Sequence, residues 1–235
     1  SSAASDVYKR QWLGKENVAP RVILTEGGSM TDIYVYNQLT KDNNGNIKVD
    51  QNGNLGITSS NTPVKVGNLD ADFNLGWTNH FTYKGIDLGV VLSARVGGLA
   101  YSATQGILDY YGVSGTSATA RDNGGIPINN GKVNAQKYYQ TIGTGEGGYG
   151  RYYLYSATNV RLQELSLNYT LPKRWFKNVA NVTLGIVGRN LWMIYCKAPF
   201  DPELSASTSS NYYMNVDYFM QPSLRNFGFN VKVQF

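Results

Sequence analysis

Hydrophobic and polar residues alternate without a break along the last stretch of the chain. Phe227, Phe229, Val231, Val233 and Phe235 fall on one parity; Asn226, Gly228, Asn230, Lys232 and Gln234 fall on the other. Successive side chains of a strand point to opposite sides, so this pattern predicts a strand with one apolar and one polar face. The same period recurs upstream. Phe73, Leu75, Trp77, Phe81 and Tyr83 oppose Asp72, Asn74, Thr78, His80 and Thr82. After a Lys84-Gly85 turn, Ile86, Leu88, Val90, Leu92, Ala94 and Val96 oppose Asp87, Gly89, Val91, Ser93 and Arg95. This is a hairpin whose arms exceed the common strand length of about five or six residues. Leu165, Leu167, Tyr169 and Leu171 oppose Glu164, Ser166, Asn168 and Thr170, while Val160 and Leu162 sit on the other parity, which predicts a bulge near Gln163. Pro172 ends that strand, since proline cannot donate to a ladder. Val182, Leu184, Ile186 and Gly188 then alternate with Asn181, Thr183, Gly185, Val187 and Arg189. Residues 31–38, rich in β-branched and aromatic side chains, predict one more strand. Asp42-Asn43-Asn44-Gly45 and Gln51-Asn52-Gly53-Asn54 are turn signals flanking a short hairpin.

Strands of this kind suit two folds. A soluble sandwich turns the apolar faces onto a core; an outer-membrane barrel turns them to lipid and the polar faces to its lumen. The connections favour the barrel. Long polar connections (41–67, 97–157, 197–222) alternate with short ones near Gly27, at Lys84-Gly85 and over 172–178. In an antiparallel meander, alternate connections lie at opposite ends, so the long loops gather at one end and the short turns at the other, as in outer-membrane barrels. The segment 97–157 is too long for a structureless loop inside a compact soluble domain. Tyr83, Tyr169, Trp175 and Phe235 lie near the short-turn end, where an aromatic girdle would meet lipid headgroups. The expected fold is therefore all-β, an antiparallel up-and-down meander forming part of a transmembrane β-barrel. About six long strands can be read, fewer than the eight of the smallest single-chain barrels, which places further strands upstream. The alternative is a secreted β-sandwich carbohydrate-binding module; a small complete porin-like barrel is a third reading.

Composition narrows the chemistry. Among 235 residues, 21 Lys and Arg against 16 Asp and Glu leave a net charge of +5, with no basic run to hold nucleic acid. Eighteen tyrosines, 26 glycines and only 16% charged residues suit a turn-rich β protein. No stretch of about 18 apolar residues predicts a transmembrane helix. One cysteine, Cys196, and one histidine, His80, leave no parts for an internal disulfide, a structural zinc site or a His-based catalytic dyad. Asp70 and Asp72 share a strand face without any pocket signal. We expect no enzyme, no cofactor and no metal. Residues 1–11 lack the apolar core of a signal peptide and resemble translated sequencing-adapter read-through, so the reading rests on residues 12–235, taken as the tail of a longer gene product.

Candidate binding residues follow from the faces. Arg95, Glu164 and Arg189 lie on the predicted lumen side, where they pair across strands or contact solute. Tyr138, Tyr139, Tyr149, Tyr152 and Tyr153 in the long loop offer aromatic faces for sugar rings, for loop packing or for a lid partner. The expected substrate-binding set is Arg95, Glu164, Arg189, Tyr152 and Tyr153. Asp201 and Glu203 either bind calcium or substrate or fix the loop beside Pro202.

A run of motifs adds a family. Arg161-Leu162-Gln163-Glu164-Leu165-Ser166-Leu167-Asn168-Tyr169-Thr170-Leu171-Pro172, then Gly188-Arg189-Asn190-Leu191, then Phe200-Asp201-Pro202-Glu203, then the terminal strand, resemble in order and spacing the carboxy-terminal end of SusC/RagA-type TonB-linked outer-membrane transporters of Bacteroidota. Gly67-Asn68, Phe81-Thr82-Tyr83-Lys84, Gly97-Gly98 and Ala120-Arg121-Asp122 fit the same family, with Leu69-Asp70 standing where it has a proline. The resemblance implies a 22-stranded barrel in the outer membrane and an amino-terminal plug, absent from this chain. It also implies drive from the TonB complex through that missing part. A SusD-like surface lipoprotein would be the lid and partner, and oligosaccharides or peptides the cargo. Phe235 resembles the terminal signal read by the barrel-assembly machinery.

Overall fold

Five of the strands read from alternation pair in chain order into one antiparallel sheet. The computed structural model describes residues 10–11, 20–145, 148–177, 179–204 and 215–234. The expectations placed on residues 1–9 and on Phe235 lie outside the described residues. The elements run as β1 (Arg10–Gln11), β2 (Arg21–Val22), β3 (Asp32–Leu39), β4 (Ile57–Asn68), β5 (Phe73–Tyr83), β6 (Ile86–Val96) and β7 (Leu99–Ser102), then α1 (Ala103–Tyr110) and α2 (Gly115–Asp122). They continue as β8 (Ile126–Ile128), β9 (Gly131–Val133), α3 (Ala135–Gly143), β10 (Leu154–Ser156), β11 (Asn159–Thr170), β12 (Asn181–Cys196), β13 (Val216–Asp217) and β14 (Asn226–Gln234). The chain divides into two compact units. The first takes the described residues up to Asp70 with Gly98–Ser156 and Glu203–Met220; the second takes Ala71–Gly97, Ala157–Pro202 and Gln221–Phe235.

The second unit is the amphipathic sheet, in the order β14-β12-β11-β6-β5. Its register puts like with like. Phe81 faces Leu88, which faces Leu167, then Ile186, then Phe229, an apolar row across all five strands. One step along, Thr82, Asp87, Asn168, Gly185 and Asn230 form a polar row on the opposite face. The predicted bulge is present: against β6, Leu162 and Glu164 face the consecutive Leu92 and Val91, so Gln163 is the extra residue and the alternation changes parity there, while against β12 the same step passes over Asn190 and Leu191. Among the described residues no second layer covers the apolar face. Phe229 is 82% exposed, Phe227 79% and Ile186 60%. Each such side chain left in water forgoes roughly 1.5–3 kcal/mol of burial. At Gly185 a Cβ would press on Asn168 Oδ1 and lie 2.7 Å from the amide of Asn230, so a larger residue there would displace both side chains on the polar face.

The first unit follows the opposite plan, with its apolar residues inside. Val22, Ile33, Leu55, Tyr101, Tyr153 and Val216 belong to one buried cluster, all of it within this unit. Its main sheet runs β1-β2-β3-β4, a smaller one runs β10-β7-β13 with β13 parallel to β7, and β8 pairs with β9. Asp32, buried at the head of β3, accepts from Lys65 Nζ at 2.6 Å; that hydrogen bond holds its carboxyl below the usual range.

Three expectations need correction here. The strand at 31–38 is not part of the amphipathic meander: β3 is buried on both faces in the first unit. Residues 57–68 were expected to be a polar connection, yet they form β4, an edge strand. Pro63 sits where the register breaks between Val35 and Asn37, and proline is tolerated at edges and bulges. The segment 97–157, expected to be loop, carries three helices. Ser102 Oγ accepts from the Gln105 N–H at 3.0 Å and Ser114 Oγ from the Ser117 N–H at 3.0 Å, while Asn134 caps α3. The all-β description holds for the sheets, with short helices set between them.

The hairpin flanked by turn signals is a tandem repeat. Asp42 Oδ1 accepts the N–H groups of Asn44 and Asn46 at 2.8 and 2.9 Å; eight residues later Asp50 Oδ1 accepts those of Asn52 and Asn54, each at 2.8 Å. Gly45 and Gly53 turn at φ of 85° and 78°, where a Cβ would strain the backbone. Asn129 clamps this hairpin by bonding both the N–H and the carbonyl of Ile47 at 3.0 Å.

Candidate functional site

The polar face of the amphipathic sheet collects the charged residues singled out from sequence. Arg189, on β12, donates from Nε to Glu164 Oε2 on β11 at 2.8 Å, so two of the candidates pair across strands. The pair is open to solvent, with the side chains 66% and 31% exposed. Arg95, on β6, stands opposite Asn159 of β11 and Asn74 of β5 on the same face, half-buried. His80 Nδ1 lies 3.7 Å from Asp87 there. This face therefore offers an exposed cation and anion side by side, set among amide and hydroxyl side chains.

A second group on β11 escaped the sequence reading of roles. Arg161 is buried, and its NH2 donates to Asp201 Oδ1 at 2.6 Å while NH1 reaches Oδ2 at 3.4 Å and Asn190 Oδ1 at 3.3 Å. Asn190, at φ 53°, donates in turn to Ser223 Oγ at 2.8 Å and the Leu224 carbonyl at 3.3 Å. Ser223 Oγ also bonds Asp201. One network thus ties β11, β12, the Asp201-Pro202 turn and the run into β14. Of the two options for Asp201, the structure shows it fixing the loop. Only part of it was legible: Arg161 shares the polar parity of β11 next to the bulge and asparagine tolerates the left-handed conformation, but the partners come together only through the register.

The tyrosines separate. Tyr153 is fully buried, its hydroxyl donating to Asp109 Oδ2 at 3.2 Å, and burial pushes it well above the ordinary tyrosine range. Tyr152 is half-buried and its hydroxyl accepts from the Leu39 N–H at 2.8 Å. Tyr138 and Tyr139 stack edge to face, centroids 5.2 Å apart. Tyr152 and Tyr153 thus belong to the packing of the first unit, whereas Arg95, Glu164 and Arg189 belong to the second. Among the described residues no group of three or more His, Cys, Asp or Glu side chains is placed to hold a metal ion. Among the described residues no helix is long and apolar enough to cross a membrane, which says nothing of strands.

Comparison with known proteins gives concordant likenesses. No family model matches the chain. A curated relative, TonB-dependent receptor P3 of Formosa agariphila, is 26% identical over 201 residues, covering 83% of this chain and 19% of the relative. In fold, the chain is similar to the RagAB peptide transporter, with a TM-score of 0.53 and 16% identity over 95% of this chain and 24% of that one. The RagAB peptide importer in its closed-closed state aligns at a TM-score of 0.50 and 18% identity, over 92% and 22%. The chain spans under a quarter of the length of these relatives. The chain is thus similar in sequence to part of a TonB-dependent receptor and in fold to part of the RagAB transporter.

Proposed function

We propose that this chain supplies the carboxy-terminal strands of the barrel of an outer-membrane TonB-dependent nutrient transporter. The observation that carries the reading is the uncovered apolar face of the five-stranded sheet, set against a polar opposite face. A β-sandwich would bury that face. From Phe73 to Tyr83 the apolar parity runs about ten steps of roughly 3.3 Å. At a strand tilt of roughly 40° that projects to about 25 Å, the height of the apolar band of outer-membrane barrels. Aromatic side chains mark two levels. Trp77 and Trp192 stand on a row through Leu92 and Leu162, and Tyr83 and Tyr169 on a row through Ile86.

In this reading β5 and β14, each with one neighbour among the described residues, pair with further strands of a larger barrel, of 22 strands in this family. Lipid leaves no water to satisfy an open edge. The exposed Glu164–Arg189 pair and Arg95 face the lumen. Upstream residues supply the plug and the TonB contact, and a SusD-like lipoprotein is the lid. The barrel strands are β5, β6, β11, β12 and β14 of the second unit; Arg10 and Gln11, expected to lie outside the fold, pair with Val22 and Arg21 in the first unit. The cargo is an oligosaccharide or a peptide, and assembly uses the terminal Phe235. The test is depth-resolved quenching in vesicles containing brominated lipid. Trp77 and Trp192 should be quenched strongly, and replacing both with Phe should abolish most of that quenching. A monodisperse, lipid-free protein with unquenched tryptophans would instead support the sandwich.

A further inference from the structure

The helices of the long connection enclose a pocket of about 160 Å³ that none of the readings above uses. Its floor is Asp109 of α1 and Ser117 of α2, both buried. Its rim is exposed: Tyr111, Arg121 at the end of α2, and Gln136 and Gln140, one turn apart on α3. Tyr139 stands half-buried between floor and rim.

The two charged groups differ in what they offer. A carboxylate has about four lone-pair sites. Those of Asp109 are engaged from within: Oδ1 accepts from Gln105 Nε2 and Thr116 Oγ1 at 2.9 Å and from Ser114 Oγ, and Oδ2 accepts from Tyr153. Its charge is spread over four donors, of which Ser114 and Thr116 also fix the start of α2 against α1. Arg121 is oriented by one bond, NH1 to the Gly112 carbonyl at 2.6 Å, which leaves the rest of its fork of N–H donors at the mouth. Beside it Tyr111 keeps its ring 67% exposed, edge to face with Tyr110 at 5.1 Å. The mouth thus combines a held cation, two amides and an aromatic face. Its volume matches a cavity that accepts a single six-membered ring.

We infer that this pocket binds the carboxylate-bearing group of a small solute, no larger than one amino-acid residue or one sugar ring. Arg121 pairs with the carboxylate, Gln136 and Gln140 bond its polar neighbours, and Tyr111 and Tyr139 flank its apolar side. The site lies wholly in the first unit and does not depend on membrane insertion of the second.

The test titrates the full chain in detergent micelles by calorimetry with N-acetylglutamate and with glucuronate, using glucose as the neutral control. At least one acid should bind saturably and glucose should not. Which acid binds tells whether the carboxylate belongs to a peptide or to an acidic saccharide. Arg121→Gln should weaken binding about tenfold or more, the scale of a charge-assisted pair. Gln136→Ala, on the exposed rim, should weaken it by a smaller factor, and Arg151→Gln, outside the pocket, should leave it unchanged. Saturable glucose binding equal to that of the acids would overturn the inference. So would no saturation by either acid in a chain whose helical circular dichroism is intact, or wild-type affinity in Arg121→Gln. If Arg121→Gln loses the helical signal, Gln136→Ala decides, and unchanged affinity there overturns it.

Discussion

Two ion pairs on β11 show how burial decides the worth of a charge. Arg161 and Asp201 have side chains only 4% and 7% exposed and share a network of amide and hydroxyl groups. Removing one partner leaves a buried charge uncompensated, which costs about 3–5 kcal/mol. Asp201→Ala should therefore unfold the sheet at much lower urea in micelles, and the Arg161→Met, Asp201→Leu double variant should recover most of the loss. Glu164 and Arg189 lie in solvent, where such pairs contribute about 0–1 kcal/mol. Glu164→Gln should leave the urea midpoint within that range, and a larger drop would mean the pair is structural. The tandem turns add a pH dependence. The backbone N–H groups of Asn46 and Asn54, foremost among several donors, hold the Asp42 and Asp50 carboxyls below their ordinary 3.8. A carboxyl with a lowered folded pKa gives stability that is full above its unfolded value and is lost as pH falls through the folded one. Amide exchange at Asn44, Asn46, Asn52 and Asn54 should thus be slow at pH 5 and speed up, relative to the intrinsic rate, as the pH falls below 3.8. Protection that stays flat across that range would show that the carboxylates do not hold the turns.

At the scale of elements, what could be read from sequence depended on whether one face met a different medium from the other. β5, β6, β11, β12 and β14 each carry one apolar and one polar face, so their period of two is plain, and the parity change at Gln163 even places a bulge. β4 separates nothing. It is an edge strand of Ser, Thr, Asn and Lys around Pro63, and its pairing is set by β3 rather than by its own pattern. The helices α1 to α3 are short and lie in a stretch rich in Gly, Ser, Thr and Asn, yet two signals were visible: Ser102-Ala103-Thr104-Gln105 fits a capping box, and Ala135, Tyr138, Tyr139 and Ile142 of α3 fall at helical spacing. The network around Arg161 was hidden because its partners come from Asn190, Asp201 and Ser223, positions that only the register brings together. The two-medium argument makes neighbouring positions on β14 unequal. Phe229→Lys puts a cation on the apolar face near mid-strand, at about 2–4 kcal/mol in lipid. Asn230→Lys puts the same charge on the polar face, beside Lys232. The first should lower the folded fraction in vesicles sharply and the second should barely change it; equal losses would contradict the assignment of faces.

For the molecule as a whole, the two units need different solvents. The first buries its own cluster around Ile33, Tyr101 and Tyr153, while the second leaves Phe227, Phe229 and Ile186 uncovered. Hydrophobic burial scales with the area removed from water, so the first unit carries its driving force within itself and the second borrows it from whatever covers the sheet. Removing detergent should therefore act on one unit and spare the other. On dilution below the critical micelle concentration the chain should sediment as large assemblies. Hydrogen exchange should rise or become heterogeneous across β5, β6 and β14, while amides in β7 and in α1, buried in or against the first cluster, stay protected. Exposed strands with free edges associate readily, so assembly should begin at β5 and β14, and Lys substitutions at Phe73 and Phe229 should slow it. A chain that stays monomeric in plain buffer with β5, β6 and β14 fully protected would mean that something other than lipid covers the sheet, and the membrane reading would fall with it.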